Sequence, residues 1–239
     1  MEHEHTFEAI RERLAAGPRH SYLRDWVYGG IDGTVTTFAI VSGVAGAHLS
    51  AHIILILGGA SLIADGLAMA AGNYLATRAE HEEFHYAEAV EHRHIEKAPE
   101  GESEEVREIL RSRLGLVGGL LDQVAAAVTA NRSRWVGLML SHEYGLPEAV
   151  RSPWRAAGST FSAFLFCGFV PLVPFVAGWN NAFWVASAIT SLTFVLIGAL
   201  KSRWSVRPWW YSGLATFVIG GGAAAVAYVI GAWLRRLTG

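Results

Sequence analysis

The sequence predicts an all-α membrane protein with five transmembrane helices and a helical cytoplasmic domain inserted between the second and third spans. Hydrophobic residues make up 52% of the 239 residues. They are concentrated in five stretches, at 26–50, 52–77, 156–178, 182–200 and 209–234. Each stretch approaches or exceeds the roughly 20 residues that a helix needs to cross a bilayer. All 19 Lys and Arg residues lie outside these stretches.

The positive charges predict the orientation of the chain. Apart from Arg235 and Arg236, they lie in the tail before residue 26, in the segment 78–155 and in the turn 201–208. Five spans would put these three regions on one side of the membrane, which the positive-inside rule identifies as the cytoplasm. We therefore expect a cytoplasmic tail at 1–25, two spans within 26–79, the inserted domain at 80–147, three spans within 148–239 and an external C-terminus. We interpret the MEHEH start of the tail as a solvated terminus.

The second span is expected to continue far beyond the bilayer. No Gly or Pro occurs from Asn73 to Ala98, and the first break is PEG at 99–101. The pattern predicts one helix from about His52 to Lys97, roughly 69 Å long. Shorter helices should follow at ESEEVREILRSRL, where Val106, Ile109 and Leu110 share a face, at LLDQVAAAVTA and at RWVGLMLSHEY.

Residues 80–94, EHEEFHYAEAVEHRH, combine five Glu with four His on this long helix. Carboxylate and imidazole groups suit Mn, Fe, Co and Zn. Two Glu-x-x-His pairs, at 82–85 and 91–94, have the spacing used in di-iron helical bundles. Helical geometry places four candidate ligands on one stripe: Glu80, Glu83, Glu91 and His94. A second stripe beside it contains His81, His85, Glu88, His92 and Glu96.

A charged helix that is merely solvated is the alternative. Two observations favour metal binding instead. Arg93 is the only basic residue in 80–96 besides histidine, so the carboxylates repel one another unless a cation binds. A second acidic set follows with Glu102 and Glu105 at i, i+3, and Met139 and Glu143 at i, i+4 could complete a site.

Two acidic residues, Asp32 and Asp65, lie inside the predicted spans. An ionised Asp at the centre of a bilayer costs about 2.5–3.5 kcal/mol, and such residues commonly mark ion or proton pathways. Met69 shares a face with Asp65, and a thioether with two carboxylates favours a softer ion than Mg or Ca. A polar contact between helices is the structural alternative. Gly29 and Gly33 should allow close helix packing, and the prolines of VPLVP should break the third span.

Five segments resemble the vacuolar iron transporter family in its prokaryotic form: GGIDGTVTTFAIVSGVAGA, ASLIADGLAMAAGNYLATRAE, VREILRSRLGL, MLSHEYGL and GFVPLVPF. The resemblance implies a five-span homodimer with its ion path at the dimer interface, in the bacterial plasma membrane. It implies proton-coupled export of Fe²⁺, and often Mn²⁺, from the cytosol.

The resemblance also assigns roles to residues. Asp32 and Met69 match transport residues, and His94 and Asn73 stand where Glu is more usual. Five positions match the family's cytoplasmic metal ligands: Glu91, Glu102, Glu105, Met139 and Glu143. We expect divalent ions (Fe²⁺, and with it Mn²⁺, Co²⁺ or Zn²⁺), protons and lipid as partners, and neither nucleic acid, prosthetic group nor catalytic residues. A membrane-anchored di-iron oxidase and a metal-sensing scaffold are the alternatives.

Overall fold

The computed structural model describes residues 6–15, 21–147, 150–204 and 206–238, and within these ranges every regular element is a helix. The MEHEH start lies outside the described residues. In chain order the helices are α1 (Phe7–Ala15), α2 (Leu23–Gly46), α3 (Ala51–Lys97), α4 (Pro99–Leu114), α5 (Gly118–Thr129), α6 (Arg132–His142), α7 (Pro153–Phe169), α8 (Val173–Val176), α9 (Ala182–Lys201) and α10 (Trp209–Thr238). The single long helix predicted after residue 52 is confirmed as α3.

The chain divides into two compact units. One, here the acidic unit, comprises residues 1–20 and 77–152, and it contains the C-terminal part of α3 together with α4, α5 and α6. The other, here the apolar unit, comprises residues 21–76 and 153–239, and it contains α2, the first half of α3 and α7 to α10. The predicted tail contains the helix α1, in which no residue is buried.

The apolar unit makes this an integral membrane protein. In the part of the chain that the structure describes, four helices are long and apolar enough to cross a membrane: α3, the segment Pro153–Val176, α9 and α10. The predicted first span, α2, has 24 residues and packs against α7, α9 and α10. Asp25 and Asp32, with several Gly and Thr residues, make it more polar than the other four. Its crossing of the membrane stays a prediction.

Two glycines allow α2 and α7 to pack backbone against backbone. A Cβ atom on Gly29 would overlap the carbonyl oxygen of Thr160, and one on Gly33 would overlap the carbonyl oxygen of Phe164. Small residues at such crossings let membrane helices approach closely enough for van der Waals contact along their backbones. The sequence-based prediction of a close approach at these glycines is therefore confirmed.

The third predicted span is interrupted by proline, as expected. Helix α7 ends at Phe169, a 3₁₀ turn covers Val170–Leu172, and α8 continues from Val173. Pro171 and Pro174 each lack the N–H that a continuous α-helix needs, so the ladder of hydrogen bonds cannot run through them. The short 3₁₀ turn absorbs this change of geometry.

The acidic unit has a hydrophobic core of its own. Val106 and Leu110 of α4 pack with Met139 of α6, and these three residues are at most 2% exposed. Pro99 begins α4 at a position where its missing N–H is not needed. Gly115 ends α4 with a φ of 66°, a left-handed conformation that glycine adopts without strain. The amphipathic helix predicted over these residues is confirmed.

We expect Gly33→Ala to destabilise the apolar unit, because the new methyl group overlaps backbone atoms of α7 that no side-chain rotation can move. Overpacking of this kind costs about 1–3 kcal/mol. Thermal unfolding of the detergent-solubilised protein should show a lower Tm. Gly158→Ala on α7 is the matched control, because a Cβ there meets no atom within 4 Å. Equal Tm values for the two variants would contradict the packing account.

Candidate metal centre

Three side chains of the acidic unit converge where α3 ends and α4 begins. The Nδ1 atom of His94 lies 3.7 Å from Oε1 of Glu91 and 3.5 Å from Oε1 of Glu102. Each residue offers one ligand atom, and the three atoms lie within 4.8 Å of one another. The Glu91–His94 spacing puts both side chains on one face of α3. The turn at Ala98 brings Glu102 of α4 against that face.

The two carboxylates are held out of water, whereas the histidine is half exposed. Glu91 is 0% exposed and Glu102 is 6% exposed, while the side chain of His94 is 51% exposed. The hydroxyl of Tyr144 donates a hydrogen bond of 3.0 Å to Oε1 of Glu91. The Oε2 atoms of Glu91 and Glu102 are buried without a hydrogen-bond partner. A buried carboxylate oxygen without a donor is costly, so the cluster is suited to a bound cation.

The charges of the surrounding glutamates reinforce this arrangement. Burial first, and then the neighbouring charges of Glu105 and Glu91, raise the pKa of Glu102, which His94 partly offsets. Burial followed by the charges of Glu91 and Glu105 raises the pKa of Glu143. Burial and the hydrogen bond to Glu91 raise the pKa of Tyr144, so its hydroxyl remains a donor. The site therefore carries an excess of negative charge that bound protons or a bound metal ion can neutralise.

The other predicted ligands divide into two groups. Glu105 and Glu143 are exposed, but both act electrostatically on the cluster. Met139 is fully buried in the hydrophobic core, one turn before Glu143. Glu80 and Glu83 are exposed on α3 and lie well away from Glu91, since eleven residues separate positions 80 and 91, about 16 Å of helix. The structure therefore does not bring the four members of the predicted stripe together.

Arginines neutralise part of the remaining charge on α3, and two of them, Arg132 and Arg151, come from other segments of the chain, which the sequence did not predict. Arg132 donates to Nδ1 of His92 at 2.9 Å and to Glu96 at 2.6 Å. Arg151 lies 3.6 Å from Glu80, and Arg78 lies 2.9 Å from Glu82. Among the described residues, His94 is the only basic side chain that forms an ion pair with Glu91 or Glu102. The scarcity of Lys and Arg in 80–96 was thus informative for this cluster and not for the whole helix.

The predicted pathway residues lie in the apolar unit. Asp32 of α2 and Asp65 of α3 are both exposed, and they are close enough for the charge of Asp65 to act on Asp32. The hydroxyl of Ser61, one turn before, donates to Asp65. Met69 is half-buried and packs against the core formed by Phe38, Leu62 and Phe164. The structure therefore brings the two aspartates near each other, with Met69 one turn along α3.

A third carboxylate of this unit, Asp25, was not predicted from the sequence to have a role. It lies within α2 and is only 7% exposed. The amide of Asn73 donates to Oδ1 of Asp25 at 3.0 Å and to the hydroxyl of Thr160 at 2.7 Å. An ionised glutamate at position 73 could donate neither bond and would repel Asp25. These two hydrogen bonds explain why an amide suits position 73 in this chain. In the sequence, the only indication that Asp25 belongs to the apolar unit is its position one residue before the apolar stretch 26–50.

We expect the metal-free protein to lose stability as pH rises above the ordinary glutamate range, about 4.3. A folded-state pKa that is raised means that the folded cluster binds protons more readily than the unfolded chain. The stability that protonation gives is then complete at low pH and declines as pH rises through the raised pKa. Thermal unfolding with a chelator between about pH 4 and pH 8 measures this decline.

Glu102→Gln should flatten the pH dependence, since the amide stays neutral throughout. Glu100→Gln on the same helix is the control and should keep the wild-type slope, because Glu100 is exposed. Identical slopes for the Glu102 variant and the wild-type protein would rule out this origin of the pH dependence.

Comparisons with known proteins agree with the resemblance seen in the sequence. The sequence profile of the VIT family matches residues 23–232. The vacuolar iron transporter of Toxoplasma gondii is 30% identical over 230 residues, covering 91% of this chain and 76% of that protein. Vacuolar iron transporter 1 of Arabidopsis thaliana is 32% identical over 215 residues, covering 87% and 84%. Vacuolar iron transporter 1 of Tulipa gesneriana is 30% identical over 213 residues, covering 87% and 85%.

The match to the family extends over nearly all of α2 to α10, so it includes both the membrane helices and the Glu91–His94–Glu102 cluster. The chain belongs to the VIT family.

Proposed function

We propose that this protein exports ferrous iron from the cytosol in exchange for protons, and that the acidic unit captures the metal before transport. Membership of the VIT family and relatives named as iron transporters support metal-ion transport. They also support a transporter over a membrane-anchored di-iron oxidase. The observation that carries the capture step is the pair of buried carboxylate oxygens, on Glu91 and Glu102, that have no partner.

The chemistry of the cluster fits the proposed cargo. Two carboxylates and one imidazole nitrogen suit Fe²⁺ and also Mn²⁺, Co²⁺ and Zn²⁺, which such ligands distinguish mainly by geometry. A divalent ion would neutralise the negative charge of Glu91 and Glu102, and the charges of Glu105 and Glu143 would attract the ion from a longer distance. Protons compete with the metal for the same oxygens, so capture should weaken as pH falls.

The exposure of Asp32 and Asp65 supports a homodimer with the ion path at its interface. A carboxylate facing lipid near the bilayer centre is costly, about 2.5–3.5 kcal/mol on insertion scales. Both aspartates are exposed on membrane helices of the single chain. A second copy covering this surface would remove them from lipid and would double the number of carboxylates along the path, with Met69 beside them.

The proposed topology has five spans, α2 included, with the N-terminus and the acidic unit in the cytoplasm and the C-terminus outside. The burial of α2 among α7, α9 and α10 supports its place in the membrane. The distribution of Lys and Arg supports the orientation. We place the protein in a bacterial plasma membrane, following the prokaryotic form of the sequence motifs.

We expect Asp32→Asn and Met69→Leu each to reduce Fe²⁺ flux into proteoliposomes by at least about tenfold, roughly 1.4 kcal/mol of pathway stabilisation. Metal binding to the acidic unit, measured by calorimetry, should be nearly unchanged. Asp122→Asn is the control, since Asp122 is an exposed carboxylate of α5. Wild-type flux in both pathway variants would exclude this route, and no flux in the wild-type protein would favour the sensing scaffold.

Fe²⁺ entry should be accompanied by a change of pH inside the proteoliposomes, because carboxylates that bind the metal must release their protons. A trapped pH dye measures this change, and an imposed proton gradient should accelerate the metal flux. The Asp32→Asn variant should lose both signals together. Metal flux without any movement of protons would identify a uniporter.

Glu102→Gln should weaken capture without closing the membrane path. We expect slower transport at low Fe²⁺ and recovery at high Fe²⁺, where metal capture by the acidic unit is no longer limiting. Calorimetry should show weaker binding of Mn²⁺ and Co²⁺ as well, and Glu100→Gln should behave as the wild type in both assays. Equal loss of transport at every metal concentration, or catalytic oxygen consumption with Fe²⁺, would contradict the proposed capture of metal by the acidic unit.

A further inference from the structure

The apolar unit contains a basic cavity that the metal pathway does not use. Its volume is about 620 Å³, and its walls come from the start of α2, the end of α9 and the start of α10. Three cationic side chains line it: Arg24, Lys201 and Arg207. These residues belong to three separate segments of the chain, so tertiary packing brings them together. The described residues that line the cavity include no carboxylate.

Two tyrosines and several aliphatic side chains complete the walls. The guanidinium of Arg207 stacks 4.6 Å above the ring of Tyr211, which fixes the orientation of its planar fork. Val27 and Ile31 of α2 give the cavity an apolar side next to its cationic side. The ligand that matches such walls has an anionic head and a hydrocarbon body. A free phosphate ion would use only the cationic side.

The position of the cavity along the helices also indicates its ligand. Trp209 and Trp210, at the start of α10, are 61% and 56% exposed. Exposed tryptophans at a helix end are typical of the depth of lipid headgroups. From this end α10 continues with exposed aliphatic residues such as Val218 and Ile219, as expected for contact with acyl chains. The cationic side chains therefore lie where phospholipid phosphates are found.

We propose that this cavity binds one anionic phospholipid, with its phosphate held by Arg24, Lys201 and Arg207 and its upper acyl chain lying along Ile31 and Ala215. One arginine can donate hydrogen bonds to two phosphate oxygens through its planar guanidinium group, and lysine adds a flexible point charge. Basic pockets between membrane helices on the cytoplasmic side are suited to such headgroups. The proposal rests on the five-span topology proposed above and not on the transported ion.

The test is native mass spectrometry of the full-length protein titrated with phosphatidylglycerol, phosphatidylcholine or inorganic phosphate. The wild-type protein should retain phosphatidylglycerol in preference to phosphatidylcholine, and inorganic phosphate should not displace it. Arg24→Gln with Lys201→Gln should weaken retention by at least about tenfold, since each basic residue contributes roughly fivefold. Arg235→Gln with Arg236→Gln removes the same charge at the other end of α10 and is the matched control.

Equal weakening in the two double variants would overturn the proposal, because it would show a general effect of charge. Equal retention of the two lipids, or displacement by inorganic phosphate, would overturn it as well. A photoreactive phosphatidylglycerol provides a second measurement on the wild-type protein, which does not depend on the folding of any variant. Cross-links should map to peptides that contain residues 24–31 or 201–215, and cross-links confined to other segments would exclude the site.

Discussion

The need to accommodate carboxylates among apolar side chains is the constraint on which both units depend. In the acidic unit, Glu91 is fully enclosed and has one oxygen with no donor, and Glu102 stands beside it in the same condition. An arrangement of this kind opposes folding, since each buried carboxylate oxygen without a donor costs about 1–3 kcal/mol or more. The hydrophobic core of α4, α5 and α6 must offset that cost in the metal-free chain. A site built in this way has a high demand for a cation and remains accessible through the exposed His94.

The apolar unit meets the same constraint in two ways. Asp25 is buried and satisfied, because Asn73 donates to its carboxylate and links it to Thr160 of α7. Asp32 and Asp65 are instead left exposed on α2 and α3, with Ser61 donating to Asp65. The first arrangement fixes three helices relative to one another. The second leaves two carboxylates for an ion or a second copy of the chain, as the proposed pathway requires.

The presence or absence of an arginine partner distinguishes the residues that hold the acidic unit together from those of the candidate metal centre. Arg132 joins the start of α6 to His92 and Glu96 on α3, which lie 40 and 36 residues before it along the chain. These carboxylates and imidazoles have partners within the protein, so they have little need of a metal. The cluster at Glu91, His94 and Glu102 contains no Arg or Lys partner within the described residues. A candidate metal site and a set of structural ion pairs thus share one acidic helix without competing.

The sequence by itself determined the features that depend on local chemistry. The absence of Gly and Pro from 73 to 98 specified one uninterrupted helix, the prolines of VPLVP specified a break, and Gly29 and Gly33 specified a close approach. Only the tertiary structure decided which carboxylates meet. Helical periodicity grouped Glu80 and Glu83 with Glu91 by their direction around the helix, although a rise of about 1.5 Å per residue already separates them along its axis. The return of α4, which places Glu102 beside Glu91, could not be read from that periodicity. Periodicity also could not show that Arg132 and Arg151 neutralise part of the helix, or that Asp25 is buried against Asn73, because such pairings arise from distant segments brought together by packing.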